Sequence, residues 1–467
     1  MTYGIVAALL LAQASGGKVP ATPGGETLTL EAALREAQGR NLDLAASRAR
    51  LDQARQLHWK AWSAYLPQAS AGGSYTHSNF QDIVFPFVTE YTVRDVGTAA
   101  APGGGVPAGG PLPGAPTPYT LVPTQIERFN IIKQNHLTAQ FQVTQALLAP
   151  QAWFGISAAN AAEEAAAETT ENFRRQILFG VAQAYYGAAS LMQVIAIQER
   201  QLAIASAHER DARVRYEAGT TPKVTLLRAE IDRSRAEQDL KRARNAYESA
   251  KVAIGTLLDR SDAAFEVVLP PRPDLPPDLD ALEQAAPGQR PDVLAADSTV
   301  VAAERSHVGV VAGYAPTLGG FVRWQWENLD GFIGKYATWA VGLGLSWNLF
   351  DGGLREAELR EVSARVREAE AARGSARAKA IEEVRRARLE LDSAVANGEK
   401  AKEQLALARE NQKLVDVNYR AGAATYLEVT DANAALLTAE LTVVSESLNA
   451  DLAGLRVLLA AGAFNPR

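Results

Sequence analysis

A chain of 467 residues has room for two or three domains, and a formal net charge of −6 with no basic run interleaved with aromatics argues against a nucleic-acid partner. It has no Cys, so disulfides, thiolate metal sites and a lipidated N-terminal Cys are excluded. Its five His (His58, His77, His136, His208, His307) are scattered singly, and no nucleophile elbow or carboxylate pair stands in a cleft-forming context, so no catalytic residue, metal or cofactor is expected.

In chain order, residues 1–14 read as a signal peptide, with a short apolar stretch from Ile5 to Ala12 and the small-residue pattern Ala12-Gln13-Ala14. No run of 18 or more apolar residues follows, so a membrane role would not use spanning helices. A first repeat is expected over residues 28–258. It begins with a helix from Leu28 to about Tyr65, striped by Leu30, Leu34, Ala37, Leu44, Leu51 and Ala54 and stopped by Pro67. Strands are expected at about 68–93 and 126–146. In the second of these Leu137, Ala139, Phe141 and Val143 alternate with Thr138, Gln140, Gln142 and Thr144, giving one greasy and one wet face. Between them residues 95–123, rich in Gly, Pro and Ala, read as a long surface loop. Gly103-Gly104-Gly105 is a poor phosphate loop, having no Lys-Ser or Lys-Thr after it.

A heptad run follows, from about Pro150 to Tyr216-Glu217-Ala218-Gly219. Steps of three and four back from Tyr216 pass through Ala212, Ala205, Ala188, Val181 and Ile177, interrupted by Glu209 and Gln198. The same signature recurs 203 residues later as Tyr419-Arg420-Ala421-Gly422, over Val415, Ala401, Ala394, Leu391, Val384 and Ala380. Each run covers roughly 65 residues, or about 100 Å at ~1.5 Å per residue, and its Ala-rich seam suits closely approaching helices. After Gly219 a helix is expected from Val224 to Leu258.

Residues 259–287, with Pro270, Pro271, Pro273, Pro276, Pro277 and Pro287, read as a stiff linker without long helices. A second repeat over residues 288–460 then replays the order. Arg290-Pro291-Asp292 matches Asn41-Leu42-Asp43 at an offset of 249, which falls to about 202 past the strands. The difference of 47 is the extra length of the first hairpin. Strands are expected at about 317–329 and 336–349. Trp339, Val341, Leu343, Leu345 and Trp347 share one face, opposite Ala340, Gly342, Gly344 and Ser346, and Val322, Trp324 and Trp326 alternate before them. Aromatic ends around an aliphatic middle suit a transmembrane β-strand, with Trp324, Trp326, Trp339 and Trp347 as its aromatic girdle in lipid. Four strands cannot close a barrel, so closure needs several copies, with eight strands in a dimer or twelve in a trimer both allowed.

This order of helix, strand pair, long helix, Gly turn and helix, given twice, resembles the TolC-type outer-membrane efflux proteins over nearly the whole mature chain. The motifs that carry the likeness are Leu28-Thr29-Leu30-Glu31-Ala32-Ala33-Leu34 with Asn41, Tyr65-Leu66-Pro67, Trp347-Asn348-Leu349-Phe350-Asp351-Gly352-Gly353, and Tyr419-Arg420-Ala421-Gly422 leading to Tyr426-Leu427-Glu428-Val429. The resemblance implies a mainly α fold with a membrane β-barrel, an internally duplicated helix-hairpin-helix repeat, and a homotrimer. Its 12-stranded barrel would continue into a long periplasmic α-helical barrel. It further implies a passive channel of a tripartite efflux or type I secretion system in the outer membrane of a Gram-negative-type bacterium. Such a channel is fed by an inner-membrane pump of the RND or ABC type through a periplasmic adaptor docked on the helix-hairpin tips, here Ala218, Gly219, Thr220, Ala421, Gly422 and Ala423. The pore entrance would fall at Tyr419, Tyr426, Glu428 and Asp431, with Lys223, Val224 and Thr225 from the first repeat. Some relatives close this mouth with an Arg–Asp pair; the corresponding positions here are Ala424 and Thr225. Closure is therefore expected to rest on packing around Tyr419, Tyr426 and Val224, with help from Lys223. Glu428 and Asp431 also suit plain helix-dipole complementation. The competing class, a soluble periplasmic coiled coil with a small sheet, has no need of the Trp-flanked strand.

Overall fold

The computed structural model describes residues 26–79, 84–95, 119–130, 134–276, 278–328 and 336–466. In chain order these form β1 (Glu26–Leu28), α1 (Leu30–Arg40), α2 (Leu42–Ser63), β2 (Gln68–His77), β3 (Val84–Asp95), β4 (Tyr119–Asn130), β5 (Asn135–Leu148), α3 (Pro150–Glu217) and α4 (Lys223–Leu257). The second half runs β6 (Phe265–Val267), α5 (Leu279–Gln289), α6 (Pro291–Ala312), β7 (Thr317–Glu327), β8 (Ala337–Ser346), α7 (Leu354–Arg420) and α8 (Tyr426–Ala460). The expected signal peptide at 1–14 lies outside the described residues, as does most of the expected loop.

The chain divides into two compact units. One takes in Met1–Leu57, Asn160–Glu304 and Ala364–Arg467, the other His58–Ala159 and Arg305–Ser363. The first is helical. The expected heptad seams fall on its buried positions, with Val181, Ala188, Ala212, Ala380, Val384 and Ala401 at 3% exposure or less. Small side chains dominate because closely spaced helix axes leave no room for larger ones.

Two tyrosines of α3 and one of α4 hold the connector. Tyr185 Oη lies 2.6 Å from the Leu28 carbonyl and 2.8 Å from that of Val268, Tyr186 donates to Pro271 O at 2.6 Å, and Tyr247 Oη accepts the Val267 N–H at 3.2 Å. Burial raises the Tyr185 hydroxyl pKa and pushes those of Tyr186 and Tyr247 up to about 12, so they stay protonated. This clamp fixes the parallel pairing of β1 with β6. The Pro-rich stretch therefore carries a short strand and the start of an 11-residue helix, α5.

The expected helix from Leu28 to Tyr65 is broken at Asn41, which serves three segments at once through its backbone and side chain. Its backbone N–H closes α1 on Ala37 O, its Oδ1 accepts the Leu44 N–H at 3.0 Å at the start of α2, and its Nδ2 donates to Leu257 O at the end of α4. At the matching position Arg290 closes α5 on Ala286 O and donates to Ala460 O at the end of α8.

In the second unit a four-stranded antiparallel sheet has the order β2-β5-β7-β8, leaving β2 and β8 as open edges. Its register sorts the residues by chemistry. Phe141, Val143, Val322, Trp324, Trp339 and Val341 occupy one side and Gln140, Gln142, Arg323 and Gln325 the other. The first hairpin departs from expectation. Each long strand read from the sequence is two strands in separate ladders, β2 with β5 and β3 with β4. Residues Tyr119 to Pro123 of the expected loop belong to β4. Pro123, which has no N–H to give a ladder, sits beside the register shift at Glu90/Tyr91.

Candidate pore entrance and membrane face

Both long helices end by one device. Gly219 and Gly422 adopt left-handed φ of 74° and 77°. At the first tip the Thr220 N–H reaches back to Arg215 O and the Gly219 N–H to Tyr216 O, both at 2.9 Å, and at the second the Ala423 N–H reaches Asn418 O at 2.8 Å and the Gly422 N–H Tyr419 O at 3.1 Å, in each case the paired bonds of a Schellman cap. Ala218, Gly219, Thr220, Ala421, Gly422 and Ala423 are all exposed, so the two tips present mostly backbone and methyl groups.

Beyond the second tip, Thr425 starts α8 with a capping box. Glu428 Oε2 accepts the Thr425 N–H at 2.6 Å and its hydroxyl at 3.0 Å, while Thr425 Oγ1 accepts the Glu428 N–H at 3.4 Å. These bonds hold the Glu428 carboxyl below its usual range and turn it towards its own helix start. Asp431, one turn on, is exposed.

Tyr419 and Tyr426 meet, with ring centroids 6.2 Å apart, and the Arg215 guanidinium sits 5.0 Å over the Tyr419 ring. Val224 and Lys223 are exposed and Thr225 half-buried; the apolar contact at this level joins Leu226, Ala212 and Ala229 to Tyr426 instead. Tyr426 donates to Asp232 Oδ2 at 3.1 Å, tying the first turn of α8 to α4, and the His208 ring meets Tyr426 edge-on at 6.3 Å. Burial, then the Asp232 carboxylate, raise the Tyr426 hydroxyl well above the ordinary range. His208 Nε2 lies 3.3 Å from Asn433 Nδ2, which makes it the acceptor when neutral. Burial lowers the His208 pKa against the opposing pull of Asp416, Asp211 and Asp232. A cavity of about 210 Å³ lined by His208, Asp232, Arg235, Tyr426, Thr430 and Asn433 lies in this cluster. Leu226, Asp232, His208 and Asn433 were not singled out from the sequence. The signal was there in Asp232, one heptad past Thr225 on α4, and in a first-turn Tyr hydroxyl that needs an acceptor.

In the strand unit Trp324 and Trp339 are register partners, and Trp326 stands opposite Ala139 and Ala337. Trp347 lies past the other end of β8, its Nε1 donating to Tyr314 O at 3.1 Å. Between Trp339 and Trp347 the row Val341, Leu343 and Leu345 is 66%, 70% and 69% exposed. Eight residues separate the two aromatic levels, roughly 27 Å at ~3.4 Å per residue, against an apolar band of about 25 Å in outer-membrane barrels. Among the described residues no helix is long and apolar enough to cross a membrane, and no group of three or more His, Asp or Glu could hold a metal ion.

The model of the outer membrane efflux protein family matches residues 131–259 and 282–463. The chain belongs to this family. It is an outer-membrane efflux channel protein of the TolC-like kind, not an enzyme. The outer membrane efflux protein BepC of Brucella suis is 24% identical over 313 residues, 66% of this chain and 68% of BepC. Among solved structures, the outer membrane protein VceC of Vibrio cholerae superposes with a TM-score of 0.71 at 19% identity, covering 93% of this chain and 96% of VceC. The outer membrane channel MtrE of Neisseria gonorrhoeae, in its open state, gives 0.67 at 17% identity, covering 94% and 90%. At these identities the structures speak for the shared fold.

Proposed function

We propose that this efflux protein works as a homotrimer, in which three four-stranded sheets close one 12-stranded barrel in the outer membrane and the long helices form a periplasmic tunnel. The observation that carries the reading is the sheet. It has two unpaired edges and an exposed apolar row bounded by Trp339 and Trp347, and open edges are not tolerated in lipid. Closed by rotation, each β8 meets the β2 of a neighbouring copy. The Trp324, Trp326, Trp339 and Trp347 rings lie at the lipid interfaces, and the Gln-rich side faces water in the lumen.

The duct is passive. An inner-membrane pump of the RND or ABC type delivers substrate through a periplasmic adaptor, which docks on the tips at Ala218–Thr220 and Ala421–Ala423. Tyr419 and Tyr426 narrow the entrance. Asp431, repeated by symmetry, supplies a ring of negative charge there, with Glu428 contributing at a distance because its carboxylate is held by Thr425. Lys223, Val224 and Thr225 line the outer part of the mouth. The Tyr426–Asp232 bond takes the place of the absent Arg–Asp pair as the tie that keeps α8 against α4. The exposed Trp–aliphatic–Trp row counts against the soluble coiled-coil reading.

The deciding measurement is the mass of the detergent-extracted protein together with its conductance in planar bilayers. A trimer that forms discrete channels is expected. A monomer that stays soluble without detergent and shows no affinity for liposomes would remove the proposal.

A further inference from the structure

The first strand hairpin carries a whole ladder that the proposed duct does not need. β2, β5, β7 and β8 hold 10, 14, 11 and 10 residues. At ~3.3 Å per residue and a tilt of about 40° that already crosses an apolar band of about 25 Å. β3 and β4 add 12 residues each, roughly 40 Å more, at the end of β2 and β5 away from Pro67 and Pro150. The two ladders follow one another along the hairpin: the Ser78 N–H donates to Gln134 O at 2.8 Å just past the His77–Asn135 pair, and the next described pair is Val84–Asn130.

This ribbon is poorly suited to standing alone in water. Eleven of its 24 residues are Val, Ile, Leu, Phe or Tyr, too many for a structure with no core of its own. Tyr91 and Leu121 are 57% and 62% exposed. Tyr91 pairs with Pro123 and Leu121 with Val93, which puts Tyr91 and Leu121 on one side of the ribbon and Thr92, paired with Val122, on the other. A two-stranded ribbon is marginal by itself, and its free edges and apolar side call for cover.

We infer that the cover is the same ribbon from the other copies: in the trimer the three β3–β4 ribbons converge above the barrel mouth and pack through their Tyr91–Leu121 sides into an outer collar. The inference rests on the trimeric reading. A 12-stranded barrel has a radius on the order of 12–15 Å, so ribbons of roughly 40 Å rooted on its rim reach the threefold axis. At the rim itself β7 and β8 stand between neighbouring roots, a gap of roughly 14 Å at ~4.8 Å per strand, so the ribbons meet along their length and not at their bases. Lipid is a poorer cover, because the ribbon begins where the apolar band has already been crossed. Each ribbon also springs from β2, the edge strand that another copy must pair. The collar narrows the exit outside the membrane.

The chain has no native cysteine, so single-cysteine variants report cleanly. Full-length Tyr91→Cys and Leu121→Cys proteins in outer-membrane vesicles, treated with a short bis-maleimide, are expected to give covalent dimers several-fold more readily than Thr92→Cys. Equal or absent cross-linking at the three positions, with a trimeric mass after extraction, overturns the collar and leaves the duct standing. A monomeric mass overturns the trimer on which both rest.

Discussion

A hydroxyl and a carboxylate decide most at the residue scale. Tyr426 donates to Asp232 across two helices, and Asp232 accepts it at the edge of a polar cavity where water can reach a released carboxylate. Removing the donor with Tyr426→Phe therefore costs about 1 kcal/mol and not the larger penalty of a stranded buried charge, roughly a fivefold shift between closed and open mouths. Single-channel recording of Tyr426→Phe and Asp232→Asn should show longer openings than the parent, and unchanged dwell times would deny the tie a part in closure. Gly462 marks a second sensitive point. Its φ is +75°, and a Cβ there would meet Gln289 O at 2.9 Å and Arg290 N at 3.2 Å, main-chain atoms that cannot swing aside. Gly462→Ala should lower stability by about 2 kcal/mol, read as an earlier thermal midpoint in detergent. Tyr426 was legible in the sequence and its acceptor traceable by the heptad to Asp232, whereas Gly462 was not, since a Gly after a helix looks alike whether or not another segment lies against it.

The elements were legible where their period was long and uninterrupted. Repeated heptads over Val181 to Ala212 and Ala380 to Ala401 place α3 and α7, and strict alternation over Trp339 to Leu345 places β8. The break at Asn41 was hidden because the stripe of Leu34, Ala37 and Leu44 continues across it, and only the tertiary bond to Leu257 reveals why the helix stops. The split of the first hairpin was hidden for the opposite reason, as β-branched and aromatic residues run on with nothing to mark where one ladder ends. α8 carries a pH dependence. The neutral form of His208 is the one the fold favours, because burial lowers its pKa below 6.5 despite Asp211 on α3, Asp232 on α4 and Asp416 on α7, with Arg420 adding to the depression. The stability this contributes is fully present above about pH 6.5 and is lost as pH falls through the lower folded-state value. Protonated His208 can no longer accept from Asn433, so the start of α8 should loosen in acid. Hydrogen exchange of the residue 426–433 amides should accelerate between neutral and mildly acidic pH beyond the intrinsic rate change, and the excess should vanish in His208→Gln. An equal excess in both proteins would assign it elsewhere.

For the whole molecule, an open sheet implies copies, but the sequence alone left dimer and trimer equally available because a strand's edge carries no count of its neighbours. What the register adds is which side of the sheet the proposed barrel would turn inwards. The side of the sheet opposite the Trp–aliphatic row, which the proposed barrel would turn to water, carries mostly Ser, Thr, Gln and Gly, and Arg323 stands midway along it, bonded to Gln142 Oε1 at 3.3 Å and 5.8 Å from the Phe321 ring. Glu327 lies four residues further out, 3.8 Å from His136 and accepting a hydrogen bond from the Gln325 amide. Three copies of Arg323 at one height would make a positive ring, with the Glu327 carboxylates a level further out and mostly uncharged residues between, and such rings bias permeation towards anions. In the proposed trimer the helical mouth would work in the other sense, with a ring of Asp431 carboxylates favouring cations. The two proposed rings would act in series, so reversing one should shift selectivity in a known direction. In bilayers held in a KCl gradient, Arg323→Glu should move the reversal potential towards the cation-selective side and Asp431→Asn towards the anion-selective side. Because screening falls off over about 10 Å at 0.1 M salt, both shifts should shrink as ionic strength rises. A reversal potential indifferent to Arg323→Glu would mean that this side of the sheet does not face the conducting path, and the assignment of lumen and lipid sides would have to be exchanged.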